Sequence, residues 1–189
     1  PVIAQPQLVS DGETTQSNTD IAETRGTPED GSAKEAARIE AEKAAATARS
    51  REISREIARR EALIDELRYS SGVYSDELRE VQADLGAYLI DVDDFEKAAE
   101  VYAEALQIAR INTGLYSEEQ LPLIEALIVS NEKVKAWPKA DDFQSLHLHI
   151  VGRLYSKTDG RFLSTARQYG EWRFRVMSEN LLEDSYQGL

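Results

Sequence analysis

The segment Ser71-Gly72-Val73-Tyr74-Ser75 returns as Thr113-Gly114-Leu115-Tyr116-Ser117, 42 residues further on. A chain that repeats at this spacing is constrained to stack like units, because one short unit cannot bury its apolar face alone. An acidic pair follows each copy, Asp76-Glu77 and Glu118-Glu119. Ser75 and Ser117 stand where a helix is capped, and the acids favour its positive end. Ser117-Glu118-Glu119-Gln120 also has capping-box spacing, and Pro122 moves the start of the regular helix slightly later. Each unit then holds two helical segments: 76–90 and 95–111 around the turn Asp91-Val92-Asp93-Asp94, and 118–134 and 137–155 around Lys135-Ala136. A third begins after Lys157-Thr158-Asp159-Gly160 and runs over 162–177. It has no clear second helix, and Leu181, Leu182, Tyr186 and Leu189 are expected to close the array. No stretch alternates like a strand, so the fold class is all-α.

The rest of the chain differs in kind. Residues 1–33 hold no aromatic residue, three of the five prolines, and six acids against the single base Arg25, which predicts a flexible acidic arm. Residues 34–68 are rich in Ala, Glu, Arg and Lys, with no Gly or Pro before Gly72, and predict a long helix. Ser32-Ala33-Lys34-Glu35 has the capping-box spacing for its start. Nine bases and eight acids nearly cancel within it, and Glu52–Arg55, Glu56–Arg59 and Glu56–Arg60 have ion-pair spacing. Its second half carries an apolar seam, Ile53, Ile57, Ile64 and Leu67, with Arg60 at the missing heptad position. That half is expected to dock on the following domain. Residues 69–189 contain every aromatic residue and form the repeat domain, with units 69–110 and 111–155 and a partial cap 156–189.

Leu85-Gly86, Leu89, Phe95, Ala98, Tyr102, Ala105 and Leu106 resemble the tetratricopeptide repeat pattern. Leu85 and Gly86 match its Leu-Gly pair, Phe95 its inter-helix aromatic, Ala98 its small residue, Tyr102 its second aromatic and Ala105 its late alanine. The 42-residue period is similar to the longer variant of kinesin light chains and of many bacterial proteins. The resemblance implies a short right-handed superhelix of antiparallel helix hairpins, preceded here by the long helix and the disordered arm. It also favours an exported protein, periplasmic or envelope-associated, with a cytoplasmic one as the alternative. In the second unit Trp137 and Ala140 keep the pattern, whereas Ile128, Gln144 and His147 replace Gly86, Tyr102 and Ala105, which predicts a wider second hairpin. Independently of any family, Gly86 and Ala98 are small residues on otherwise bulky helices, as close backbone approach requires.

Composition narrows the chemistry. There is no cysteine, so disulfides, thiol catalysis and cysteine zinc sites are excluded. A net charge of -13 repels a nucleic-acid backbone, and no run of apolar residues is long enough to span a bilayer. No residue pattern bears on peripheral membrane association. The chain begins at Pro1 rather than Met, as a processed or truncated chain does, and shows no signal peptide. His147 and His149, two apart, point to different helix faces and make a poor metal pair; His147 falls on the packed face. Asp91, Asp93 and Asp94 lack the later ligands of a calcium loop. No P-loop, HExxH or dinucleotide motif is present, so neither a metal nor a cofactor is expected. Glycan hydrolysis would need paired carboxylates, and Glu125, in an apolar segment, is the acid with the oddest context.

These features favour a non-enzymatic scaffold or adaptor with a protein partner. In the resembled family the first helices of each hairpin line the groove, which nominates Gln82 and Asn131. The segment 167–175 alternates bases with aromatics and nominates Tyr169, Trp172, Arg173 and Arg175. The alternative is a structural subunit whose N-terminal helix and arm lock a self-associated or multiprotein assembly. An enzyme is the third reading.

Overall fold

The computed structural model describes residues 28–182, with side chains from residue 32 onward. The arm expected over 1–33 therefore lies largely outside the described residues, as do Tyr186 and Leu189. Six α-helices and one short 3-10 turn make up the described chain, and no strand occurs among the described residues. The chain divides into two compact units, Pro1–Ala45 and Ala46–Leu189.

Helix α1 spans Pro28–Ser70. It begins four residues before the expected capping serine, and Ser32 lies inside it. Proline suits a first helical position, since its missing N–H would find no partner there and its φ is already helical. In the first unit, the side chains of 32–45 are all exposed, and Arg38 pairs with Glu35 one turn back at 2.8 Å. Intrinsic propensity of the Ala-rich sequence, not burial, favours the helix there.

In the second unit, α2 (Asp76–Asp91) and α3 (Phe95–Thr113) form one hairpin, and α4 (Leu121–Lys133) and α5 (Trp137–Leu154) a second. Successive hairpins touch through α3 and α4, and α6 (Gly160–Glu179) packs on α5. Ser75 caps α2, its hydroxyl accepting from Leu78 N at 3.2 Å, and Asp94 caps α3, accepting from Lys97 N at 3.3 Å. Ser117 departs from its expected cap role. The chain enters the 3-10 turn Glu118–Gln120, no side-chain cap bond forms, and the Ser117 hydroxyl lies 2.8 Å from that of Thr113. Helix α4 then starts at Leu121 with Pro122 in its first turn.

The two inter-helix turns are congruent. Asp93 and Lys135 both adopt left-handed conformations, at φ 63° and 59°. In each turn the next residue's N–H returns to a helix carbonyl, Asp94 to Leu89 and Ala136 to Asn131.

The main core runs through α1, both hairpins and Ile64, with Leu85, Leu89, Ala98, Ala105 and Ile124 at its centre. Ile57 and Leu67 pack against it, so three residues of the expected α1 seam dock, while Ile53 is not part of the cluster. Gly86 sits under the Tyr102 ring: a Cβ there would lie 2.6 Å from Tyr102 Cε2. A second cluster gathers Ala140, Trp172, Val176 and Leu182, with Trp137, Tyr169 and Leu181 packed against it.

Candidate functional site

The nominated residues separate by environment. Gln82 and Asn131, expected along a groove, are buried, at 2% and 3% exposure. Gln82 Nε2 donates to Glu104 Oε2 at 2.6 Å, while its buried Oε1 has no partner among the described residues. Asn131 Nδ2 donates to the Leu127 carbonyl at 2.7 Å, which leaves Oδ1 as its remaining acceptor.

The aromatic and basic residues near the C-terminus bind α6 to its neighbours. Trp172 is buried and its Nε1–H donates to Asp141 at 2.7 Å. Arg173 donates to both oxygens of the same carboxylate, at 2.9 and 3.1 Å. Arg175 reaches Glu132 at 2.6 Å and lies over the Trp172 ring, 4.7 Å from its centroid. The Tyr169 hydroxyl lies 3.3 Å from that of Ser145. Phe174, in the same segment, is 69% exposed.

His147 is buried and His149 exposed, as two positions apart on one helix require. Burial pushes His147 below the ordinary histidine range, and the Glu125 carboxylate, 3.4 Å from its Nε2, pulls weakly the other way. Glu125 itself is exposed. It is the one carboxylate among the described residues lining the pocket it shares with His147. Among the described residues, no three His, Asp or Glu side chains are grouped to hold a metal ion, and no helix is long and apolar enough to cross a membrane.

A cleft of about 670 Å³ lies elsewhere, between the second helices of the two hairpins. Leu127 and Asn131 of α4 form its floor. The α3 wall consists of Glu96, Ala99, Glu100 and Ala103, and the α5 wall of Lys139, Asp142 and Phe143. Glu96, Glu100 and Asp142 are exposed and form no ion pair with a described residue, nor does Lys139. Other acids beside the clefts are paired, Glu61 with Lys97, Glu104 with Arg68, Glu132 with Arg175 and Asp141 with Arg173. The cleft is thus an apolar floor under a rim with a net excess of unpaired carboxylate.

The same place exists one repeat earlier. Counting back 42 residues maps Ala103, Leu127, Lys139, Asp142 and Phe143 onto Glu61, Leu85, Lys97, Glu100 and Val101, all of which line a cleft between α1 and α3. That cleft measures about 340 Å³ and is crossed by two struts. Lys97 reaches Glu61 at 2.5 Å, and Arg68 reaches Glu104 at 2.6 Å. In the second cleft both struts are lost, because Ala103 stands for Glu61 and Leu146 for Glu104. Reading the sequence for motifs missed Glu96, Glu100, Ala103, Lys139, Asp142 and Phe143. The signal that finds them is the 42-residue alignment, in which Lys139 keeps its place and its partner does not. No protein-family model matches the chain, and no curated protein matches it.

Proposed function

We propose that this protein is a non-enzymatic interaction scaffold built on tetratricopeptide-like hairpins. The observation that carries this reading is the pair of successive hairpins with congruent turns and an open, strut-free cleft between their second helices. Stacked hairpins of this kind hold side chains on rigid elements at fixed spacing, which favours recognition of a partner's surface over chemistry on a small substrate. The close approach of Gly86 to the Tyr102 ring supports the tetratricopeptide-like reading of the first hairpin, since a Cβ there would press on the ring.

A structural subunit is the second reading, favoured by the Ala-rich stretch of α1 over 32–50, every side chain of which is exposed. Light scattering after size exclusion on the full chain, with and without residues 1–48, separates the two. A scaffold is a monomer, near 21.2 kDa as the full chain, and the truncated form keeps its partner. An oligomer that truncation dissolves marks a structural subunit. Photo-crosslinkers placed over the second unit's surface in the native host test the scaffold directly, and the absence of any cross-linked partner from every position would refute it.

A further inference from the structure

We propose that the cleft between α3 and α5 seats a basic amphipathic helix of a partner protein. This rests on the scaffold reading and names the site and the partner's chemistry.

Three observations lead there. The first is charge. Glu96 and Glu100 stand one helical turn apart on one wall, Asp142 stands on the other, and none is neutralised within the described chain. Carboxylates left unpaired around a cleft attract cations, and the attraction is strongest where low-dielectric walls focus the field. Lys139 is the one opposing charge in the lining and does not balance them.

The second is shape. Ala99 and Ala103, also one turn apart, line the α3 wall, with Leu127 beneath and Phe143 opposite. A row of small residues at this spacing is a groove that accepts the side-chain ridge of another helix. The cleft walls are themselves helices, whose backbone groups are already bonded internally. An extended peptide entering here would find few partners for its own N–H and C=O groups, whereas a helix brings its backbone satisfied. Asn131 Oδ1 remains as an acceptor on the floor for one donor of the incoming side chains.

The third is the internal comparison. The equivalent cleft one repeat earlier has half the volume and is crossed by Glu61–Lys97 and Arg68–Glu104. The two also differ in lining: the earlier cleft adds Asp65, Arg68 and Gln82 around Ile64, Leu85 and Val101, whereas Ala99, Ala103, Val134, Ala136 and Phe143 make the second both strut-free and the more apolar. The Glu61–Lys97 strut returns with one substitution: Ala103→Glu sets a carboxylate before Lys139 as Glu61 stands before Lys97.

The test uses the full chain and three labelled 18-residue helical peptides of Leu, Ala and Lys: one amphipathic, one with Glu for Lys, and one with the apolar order shuffled. Fluorescence anisotropy is expected to show saturable binding of the amphipathic Lys peptide, at least fivefold weaker binding of the shuffled one, and none of the Glu peptide. Ala103→Glu is expected to weaken the Lys peptide at least tenfold with helix content unchanged. Glu96→Gln with Glu100→Gln is expected to weaken it comparably and flatten its salt dependence. Equal binding by the parent and Ala103→Glu overturns the proposal, and so does equal binding of the shuffled peptide. A dimer of the full chain that Ala103→Glu dissociates also overturns it, by making a second copy the occupant. Partner cross-links from the native host that fall only outside the cleft refute this site while leaving the scaffold reading intact. Failure to capture any partner refutes that reading instead.

Discussion

Gly86 and Tyr102 offer the sharpest test of how the first hairpin is held. A Cβ on residue 86 would lie 2.6 Å from Tyr102 Cε2 and 2.8 Å from Cδ2 and Cζ, well inside contact distance. The ring is 7% exposed, so it has little room to withdraw. Two opposing effects act on Gly86→Ala. Helix propensity favours alanine by about 1 kcal/mol in a helix interior. Overpacking against the ring costs about 1–3 kcal/mol. The single substitution therefore gives a small net change and decides little by itself. The double-mutant cycle isolates the clash. In a Tyr102→Leu background the ring atoms are gone and only propensity remains, so Gly86→Ala should stabilise by about 1 kcal/mol. The coupling between the two sites is then about 1–3 kcal/mol. For a domain of this size each kcal/mol moves Tm by about 2–4 °C. Thermal and urea melts followed by circular dichroism read this directly, and Gly86→Leu should lower Tm further than Gly86→Ala. If Gly86→Ala shifts Tm equally in both backgrounds, the ring does not press on residue 86 and the close-approach argument fails.

Further outcomes follow from single contacts. Burial holds His147 below the ordinary histidine range, so the unfolded chain takes up a proton near pH 6.5 that the native state refuses. Stability should be level above about pH 6.5 and fall as pH drops from there toward the lowered native value, and His147→Leu should show a shallower fall of Tm between pH 7.5 and 5. Identical profiles for the two proteins would contradict it. Lys135 holds φ 59°, a left-handed conformation that costs a side-chain-bearing residue about 1–2 kcal/mol, part of which glycine's added chain entropy offsets. Lys135→Gly should raise stability in urea by up to about 1 kcal/mol, and the congruent Asp93→Gly by less, because aspartate tolerates this region; a destabilised Lys135→Gly would count against the strain. Ser75→Ala removes a cap and should cost about 0.5–2 kcal/mol, whereas Ser117 makes no cap bond and its replacement should cost less. The reverse order in chemical denaturation would show that the caps are misassigned.

Much of the fold was legible because its determinants are local. The helix bounds over 76–90, 95–111 and 137–155 lie within two residues of those observed, since glycines, turn aspartates and capping serines act over a few positions. The docking face of α1 was also legible, from isoleucines and a leucine at helical spacing. The start of α1 was not. The helix runs back past the capping box at Ser32 to Pro28, where a proline and the acids Glu29 and Asp30 suit a first turn, and a cap that adds about 1 kcal/mol does not compel a boundary. The candidate site was the least legible part. Gln82 and Asn131 stood out as polar residues in apolar runs, but such residues are as readily buried on a hydrogen bond as offered to a ligand. Trp172, Arg173 and Arg175 stood out as interface types, and the partners they found lie on α4 and α5 of the same chain.

What composition conceals, the repeat register exposes. Residues 42 positions before Leu106 and Ala109 are Ile64 and Leu67, so the docked half of α1 stands in the place of a second helix, ahead of the first complete hairpin. The second unit is then three layers deep, with α1, α3 and α5 as equivalent elements and α2 and α4 between them. Equivalent positions face equivalent clefts, which turns one sequence into its own control. Lys97 and Lys139 occupy the same site, yet one is tied and the other is not, and the difference resides in residues 61 and 103 alone. The strut that crosses the earlier cleft is absent from the next, where Ala103 offers Lys139 no carboxylate. Alanine there leaves three carboxylates and a lysine unpaired at a rim above the packed Leu127 and Phe143, which is the arrangement the proposed basic helix would use.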